Sequence, residues 1–147
     1  MTADIIDQAA GLAPHSPIAA LRRRRDAFVR HSQGSHDVLI TPADAGGVSL
    51  TERAAAALRV AEIEGDGALI AHYAAHLRAL AEPHDPPRAA ILRHVELVAT
   101  APGSATRADI AALHAAGLAP RDIVVITQIV AFVSYQVRVA AGLRALA

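Results

Sequence analysis

The sequence predicts an all-α protein, and three observations lead to this fold class. Apolar residues make up 53% of the 147-residue chain but aromatic residues only 3%, so the core must be built from Ala, Leu, Ile and Val. Alanine is the strongest helix former. Capping residues, glycines and prolines divide the chain into segments whose apolar residues recur at helical spacing. The C-terminal segment is long and nearly free of charge. We therefore expect a bundle of about six to seven helices with a long apolar C-terminal helix.

The N-terminal third is predicted to contain two helices and a loop. The first helix covers residues 4–10. Ser16-Pro17, a capping residue followed by a proline, begins a second helix that runs to about Ser32. Residues 34–47 contain three glycines and one proline and are predicted to be an extended loop with a short turn. The inner side of the second helix is expected to carry Ile18, Leu21, Ala27 and Phe28.

Five further helices are predicted in the remainder. The first of these helices begins at Ser49. Ser49 and Glu52 match a capping box, in which the side chain of each residue bonds to the backbone N–H of the other. Glycines and prolines bound the others. The predicted helices are 50–64, 66–80, 87–100, 106–116 and 120–146.

No linker, repeat or low-complexity tract divides the chain. We expect a single domain over residues 1–147, in which residues 1–48 form a helical lead-in and loop and residues 49–147 form the core.

The last helix is the strongest single feature. Residues 123–137 carry no charge, but a membrane span needs about twenty apolar residues and this stretch includes several polar ones. A core helix, or one shared with another subunit, is expected instead. Ser134 and Tyr135 within it are expected to be interior hydroxyls. The N-terminus has no basic segment followed by an apolar one, so we expect no signal peptide and a cytoplasmic location.

Charge and cysteine content exclude several classes of function. Fourteen basic residues balance fourteen acidic ones, so we expect no nucleic-acid or membrane partner. Arg22 to Arg25, with Arg30, are expected to form a solvated face or inter-subunit salt bridges, with Asp26 paired to Arg22. The chain has no cysteine, which excludes disulfides, thiolate nucleophiles and cysteine-ligated metals.

His72 and His76 lie four residues apart on the predicted fourth helix, with Tyr73 beside them. This spacing places two imidazoles on one helix face, as a proton-transfer or metal site requires. A third metal ligand would have to come from elsewhere, for instance His94 or Glu62. Three interpretations remain: a structural pair with one partly exposed and one hydrogen-bonded histidine, a proton-transfer site, or a metal site. The first is the default, and we expect no metal and no cofactor.

Three stretches of the chain resemble one known superfamily. They are LTERAAAALRVAEIEGD (50–66), GLAPRDIVVITQIVAF (117–132) and VSYQVRVAAGL (133–143). Together they are similar to the carboxymuconolactone decarboxylase-like, or AhpD-like alkylhydroperoxidase, superfamily. The N-terminal IIDQAAGLAPHSPIAALR resembles the lead-in of its CMD-domain subgroup. The resemblance covers about residues 1–145 and implies an AhpD-like helical bundle.

The resemblance also indicates where the chemistry would lie. Peroxidase members of this family use a glutamate, then Cys-x-x-Cys-x-x-x-His on the next helix. With the family's Gly-Cys laid on Gly65-Asp66, the two cysteine positions hold Asp66 and Leu69, and the histidine position holds Tyr73. The glutamate position holds Ala54, two residues from Glu52. A sulfur-based peroxide cycle is therefore excluded for this chain alone.

The function expected from these features is that of a degenerate AhpD-like protein. It would be a non-catalytic or accessory subunit of a homo-oligomer, a trimer or hexamer as the family implies, and a cysteine-bearing relative is the further partner that the resemblance implies. One alternative is a cysteine-independent acid–base enzyme, such as a decarboxylase or lyase, acting on a small organic acid through His72, Tyr73 and His76, with Asp66 as a further candidate. A small-ligand-binding module is the third possibility.

Overall fold

The structure is a computed structural model that describes residues 4–80 and 88–147. Within these residues the chain forms helices and no strand, so the all-α prediction is confirmed. The helices are α1 (Ile5–Ala9), α2 (Pro17–Arg23), α3 (Asp26–Ile40), α4 (Leu50–Glu64), α5 (Gly67–Ala79), α6 (Ala89–Thr100), α7 (Arg107–Ala115) and α8 (Pro120–Leu146), with a short 3₁₀ turn at Pro102–Ser104. The predicted start of the fifth helix at Pro87 lies outside the described residues.

Helix α4 lies at the centre and packs against α5, α6 and α8. The predicted capping box is present, since the Glu52 N–H donates to the Ser49 hydroxyl and the Ser49 N–H donates to the Glu52 carboxylate. The helix ends at Gly65, whose φ of 76° is the left-handed conformation that glycine adopts at little cost. Residues 54–57 are four buried alanines, and their small side chains let the neighbouring helices approach closely.

The predicted long C-terminal helix is present as α8. Its inner face is buried against α4 and α6, with Ile126, Ile129 and Val133 almost fully shielded from solvent. It is the one helix in the described ranges that is long and apolar enough to cross a membrane by length and composition. Half of its most apolar window is buried within the fold.

The predictions for residues 17–47 were wrong in two respects. The second helix is broken, because α2 ends at Arg23 and α3 begins at Asp26. Helix α3 then continues through Gly34 to Ile40, where a loop was predicted. A glycine inside a helix costs about 1 kcal/mol relative to alanine. This cost is offset here because three α3 residues spaced by four are buried in the bundle: Ser32, His36 and Ile40.

Several side chains also differ from their predicted positions. Leu21 and Phe28 were expected on an inner face but are largely exposed, and so is Tyr135, because α2, α3 and one side of α8 form an outer surface. Arg22 does not pair with Asp26, since the helix break between them removes the four-residue spacing. Arg22 instead binds two carboxylates of the N-terminal segment, those of Asp4 and Asp7.

The loop between α3 and α4 is held by a buried arginine. Arg53 of α4 donates to the backbone carbonyls of Leu39, Ala45 and Val48, and only 4% of the residue is exposed. The guanidinium offers several donors in a fixed plane, so one side chain can bind three carbonyls at once. These bonds fix the C-terminal end of α3 against α4, and α3 carries part of the candidate site.

Candidate functional site

All four predicted site residues belong to α5 or its cap. Asp66 caps the helix, because its carboxylate accepts a hydrogen bond from the Leu69 N–H at 3.0 Å. Asp66 also forms a salt bridge with Arg144 near the end of α8, and its side chain is almost completely buried. Asp66 lies six residues before His72, or about 9 Å along the helix axis. The structure therefore does not bring Asp66 together with the histidines, and the carboxylate serves to join α5 to α8.

Tyr73 lies in the core and has no exposed surface. Its hydroxyl donates a hydrogen bond to the side-chain carbonyl of Gln136 on α8, which is itself buried. Burial raises the pKa of the Tyr73 phenol well above its ordinary value, and the bond to Gln136 opposes this only in part. At neutral pH the phenol is a neutral donor committed to a structural bond. It is therefore poorly suited to transfer a proton to a substrate.

The two other predicted residues lie beside a third imidazole, that of His36 from α3. The His36 and His72 rings are 5.8 Å apart between centroids, and His36 stacks near Tyr73 at 6.3 Å. His72 meets Tyr73 edge-on at 4.9 Å. The Nε2 atoms of His36 and His76 are buried and have no hydrogen-bond partner among the described residues. We call His36, His72 and His76 the imidazole cluster.

The electrostatics of His36 and His72 favour neutral rings. Burial lowers the pKa of His36, and the hydrogen bond to Asp37 on the same helix only partly opposes it. Burial also lowers the pKa of His72, and the neighbouring rings of His36 and His76 add to this effect because like charges repel. A neutral imidazole has one nitrogen that can accept a proton or a hydrogen bond.

The residues proposed as a third metal ligand lie elsewhere. His94 is buried on α6, where burial lowers its pKa and Asp109 opposes this effect. Glu62 is exposed on α4 and accepts a hydrogen bond from Arg59. Across residues 4–80 and 88–147, no three His, Asp or Glu side chains have an arrangement that could hold a metal ion. The geometry thus gives the metal interpretation no support.

Glu52 also has a structural role. Besides its part in the capping box, Glu52 accepts hydrogen bonds from the guanidinium and the backbone N–H of Arg88. Burial acts to raise the pKa of Glu52, but the bonds from Arg88 and Ser49 outweigh it, so the pKa is lowered. A carboxylate held as an anion by an arginine is a poor general acid.

Sequence reasoning missed two members of this region, His36 and Gln136. His36 was missed because residues 34–47 were predicted to be a loop, so its position on a buried helix face was not considered. Gln136 carried a detectable signal, since it is a polar residue near the C-terminal end of an uncharged fifteen-residue stretch. A polar group buried at such a place needs a partner, and Tyr73 supplies it.

A comparison with known protein families, curated proteins and solved structures finds no match for this chain.

Proposed function

We propose that the chain is an AhpD-like protein that has lost the family's chemistry and serves as a non-catalytic, accessory subunit of a homo-oligomer. The observation that carries this proposal concerns the four positions where the resemblance places the reacting groups. In this chain each of these positions is filled by a residue that contributes to the fold. A cysteine-bearing relative is the partner class that such a subunit would accompany.

Two of the four positions hold apolar core residues. Ala54 and Leu69 have no exposed surface and offer no group for acid–base or redox chemistry. The other two positions hold polar residues whose groups are already bonded within the fold. Asp66 caps α5 and pairs with Arg144, and the Tyr73 hydroxyl bonds to Gln136.

Peroxide reduction by this family depends on a thiolate that attacks the peroxide and a second thiol that resolves the product. The chain has no cysteine at any position. Its one methionine is Met1, so sulfur chemistry elsewhere in the chain does not replace the missing pair.

The test is hydroperoxide consumption by the rigorously purified protein in the presence of a dithiol reductant. We expect a rate equal to that of peroxide and reductant without protein. Protein-dependent, reductant-linked consumption that co-purifies with the chain would contradict the proposal.

A second candidate function is acid–base chemistry or small-ligand binding at the imidazole cluster. The specific observation in its favour is the pair of buried, unpartnered Nε2 atoms of His36 and His76, because buried polar groups normally have partners. A small organic acid is the ligand class that matches these nitrogens. NMR signals of isotope-labelled imidazoles can be followed while small carboxylic and lactone acids are added. Saturable shifts confined to the imidazole cluster would favour binding, and turnover lost in His76→Ala would favour catalysis.

A further inference from the structure

Large exposed apolar side chains are confined to one part of the molecule. Six such residues occur in the described ranges, and all lie on α2, α3 or α8. None lies on α4, α5, α6 or α7. The six are Leu21, Phe28, Val38, Val124, Tyr135 and Leu146.

Five of these six residues line one continuous groove between α2–α3 and α8. Its first section is walled by Leu21, Phe28, Tyr135 and Leu146. Phe28 and Tyr135 also wall the second section, together with Phe132. Phe132 continues into the third section, where Val38 faces Gln128 and Ala131. Residue numbers rise along α3 while they fall along α8, so the two helices are antiparallel. We call this surface the α3–α8 groove.

The second and third sections of the α3–α8 groove contain no Asp, Glu, Lys or Arg. The titratable residues in their lining are His31 and Tyr135. Protein–protein interfaces are likewise depleted of charge and enriched in aromatic residues at their cores. These two sections of the groove therefore have the composition of an interface core rather than that of a solvated surface.

The exposed side of α8 presents a stripe that fits such a groove. Val124, Gln128, Ala131 and Tyr135 are all exposed and follow a four-three-four spacing. This is the heptad spacing with which two helices pack along their length. Ala131, near the middle, has a small side chain that lets a second helix approach closely. The stripe and the groove are both parts of the same surface.

We propose that the α3–α8 groove binds a second copy of this chain, in an isologous pair whose two α8 helices lie antiparallel near Ala131. In such a pair each copy contributes both a stripe and a groove, because an isologous interface uses the same surface patch on both copies. This inference rests on the oligomeric part of the proposed function, not on the loss of peroxide chemistry.

The size of the surface is consistent with a stable pair. From Val124 to Leu146, α8 extends about 33 Å, and two adjacent helices are about 20 Å wide, so the surface offers roughly 660 Å². A standard interface buries about 800 Å² per partner. Phe28 and Tyr135 add specific anchors, since aromatic side chains dominate interface energetics.

A lipid surface is a less suitable occupant. Helices that lie on membranes carry Lys or Arg along the edges of the apolar face. Here the middle of the stripe contains Gln128, and the nearby Arg22 is held by Asp4 and Asp7. Arg25 lies over the Phe28 ring, 5.5 Å from its centroid.

The absence of cysteine makes cross-linking a sharp test. Single cysteines are introduced at positions 124, 128, 131 and 135 of the intact chain and oxidised at micromolar concentration. Near a two-fold axis, equivalent Cα atoms come within about 4.4–6.8 Å, as a disulfide requires. We expect rapid covalent dimers at one or two adjacent positions of the four. Ala111→Cys, exposed on α7 and outside the groove, is the control. Equal, slow cross-linking at all positions and in the control would overturn the proposal.

Sedimentation velocity provides a second test of the proposed pair. The wild type is expected to form an even-numbered assembly, and Ala131→Arg is expected to weaken it about a hundredfold or more, since it buries an unpaired charge. Ala111→Arg should leave it unchanged. A trimer, a monomer that binds anionic vesicles, or an assembly unaffected by Ala131→Arg would overturn the proposal. Unchanged helical circular dichroism establishes that each variant folds. The peroxide assay is repeated on the Ala131→Arg variant, and its result tests the proposed loss of peroxide chemistry separately from the proposed pair.

Discussion

The buried hydroxyl of Tyr73 donates a hydrogen bond to Gln136, a core glutamine. Replacing Tyr73 with phenylalanine keeps the ring and leaves the buried carbonyl of Gln136 without its donor. An unsatisfied buried polar group costs about 1–3 kcal/mol. We expect Tyr73→Phe to lower the free energy of unfolding by about this amount in urea titrations. Tyr135→Phe is the matched control and should have little effect, because it removes an exposed hydroxyl on α8 and keeps the aromatic ring. A Tyr73→Phe protein as stable as wild type would contradict the structural role of the hydroxyl.

The imidazole cluster predicts a pH dependence of stability. The pKa values of His36 and His72 in the folded protein lie below their ordinary value of 6.5. Between the folded and ordinary pKa values the unfolded chain binds more protons, so stability rises with pH. The contribution of these two neutral histidines to the free energy of unfolding is complete above about pH 6.5. It is lost progressively as the pH falls below that value towards their pKa values in the folded protein.

His36→Leu removes one of these titrating groups. We expect the decline in unfolding free energy below pH 6.5 to become shallower than in the wild type. His15→Asn, at an exposed site, is the control and should leave the slope unchanged. The measurement is a series of urea titrations between pH 5 and 8. A slope that is identical in His36→Leu and wild type would rule out this account of the imidazole cluster.

Among single residues, those with local signals could be predicted from the sequence. The capping pair Ser49 and Glu52 is an example, because its spacing alone determines the bonds. Contacts between distant segments could not be predicted. The His36–His72 contact joins α3 to α5, and the Tyr73 bond joins residues 63 positions apart. Neither leaves a periodic pattern in the sequence.

At the scale of elements, the loop between α3 and α4 depends on Arg53. Arg53→Met keeps a long side chain but removes the donors to three backbone carbonyls. We expect a loss of about 2–4 kcal/mol in unfolding free energy, since several buried acceptors lose this donor. Hydrogen exchange should also quicken at the C-terminal end of α3. Arg78→Met, at an exposed position on α5, is the control. Equal stability of the two variants would show that the loop is held by other contacts.

The helices also show where propensity fails as a guide. The predicted boundaries of α4 and α8 are close to the observed ones, because caps and prolines mark them. The last turns of α3 were not predicted from the sequence, because Gly34 has a low helix propensity. Burial of Ser32, His36 and Ile40 outweighs that preference, and burial depends on neighbours that the local sequence does not reveal.

For the whole molecule, the all-α class and the long apolar last helix followed from composition and spacing. The outer surface of α8 did not, because its uncharged stretch gives no sign of which side faces solvent. The structure shows that one side is buried and that the other, with Val124 and Tyr135, is open. The AhpD-like assignment remains a proposal based on the three sequence stretches.

The central claim is that the positions where the proposed AhpD-like resemblance would place reacting groups serve the fold in this chain. Asp66 tests it most directly, because it links the start of α5 to the end of α8 across 78 residues. A catalytic residue is seldom optimal for stability, and replacing it often leaves stability unchanged or raised. A structural cap and buried ion-pair partner behaves in the opposite way.

The decisive measurement is therefore the unfolding free energy of Asp66→Ala, set against Asp26→Ala, whose exposed carboxylate lies 3.8 Å from Arg30. We predict a loss of about 2–4 kcal/mol for Asp66→Ala, from the lost cap and the lost salt bridge, and little change for Asp26→Ala. An Asp66→Ala protein as stable as the wild type, or more stable, would contradict the account.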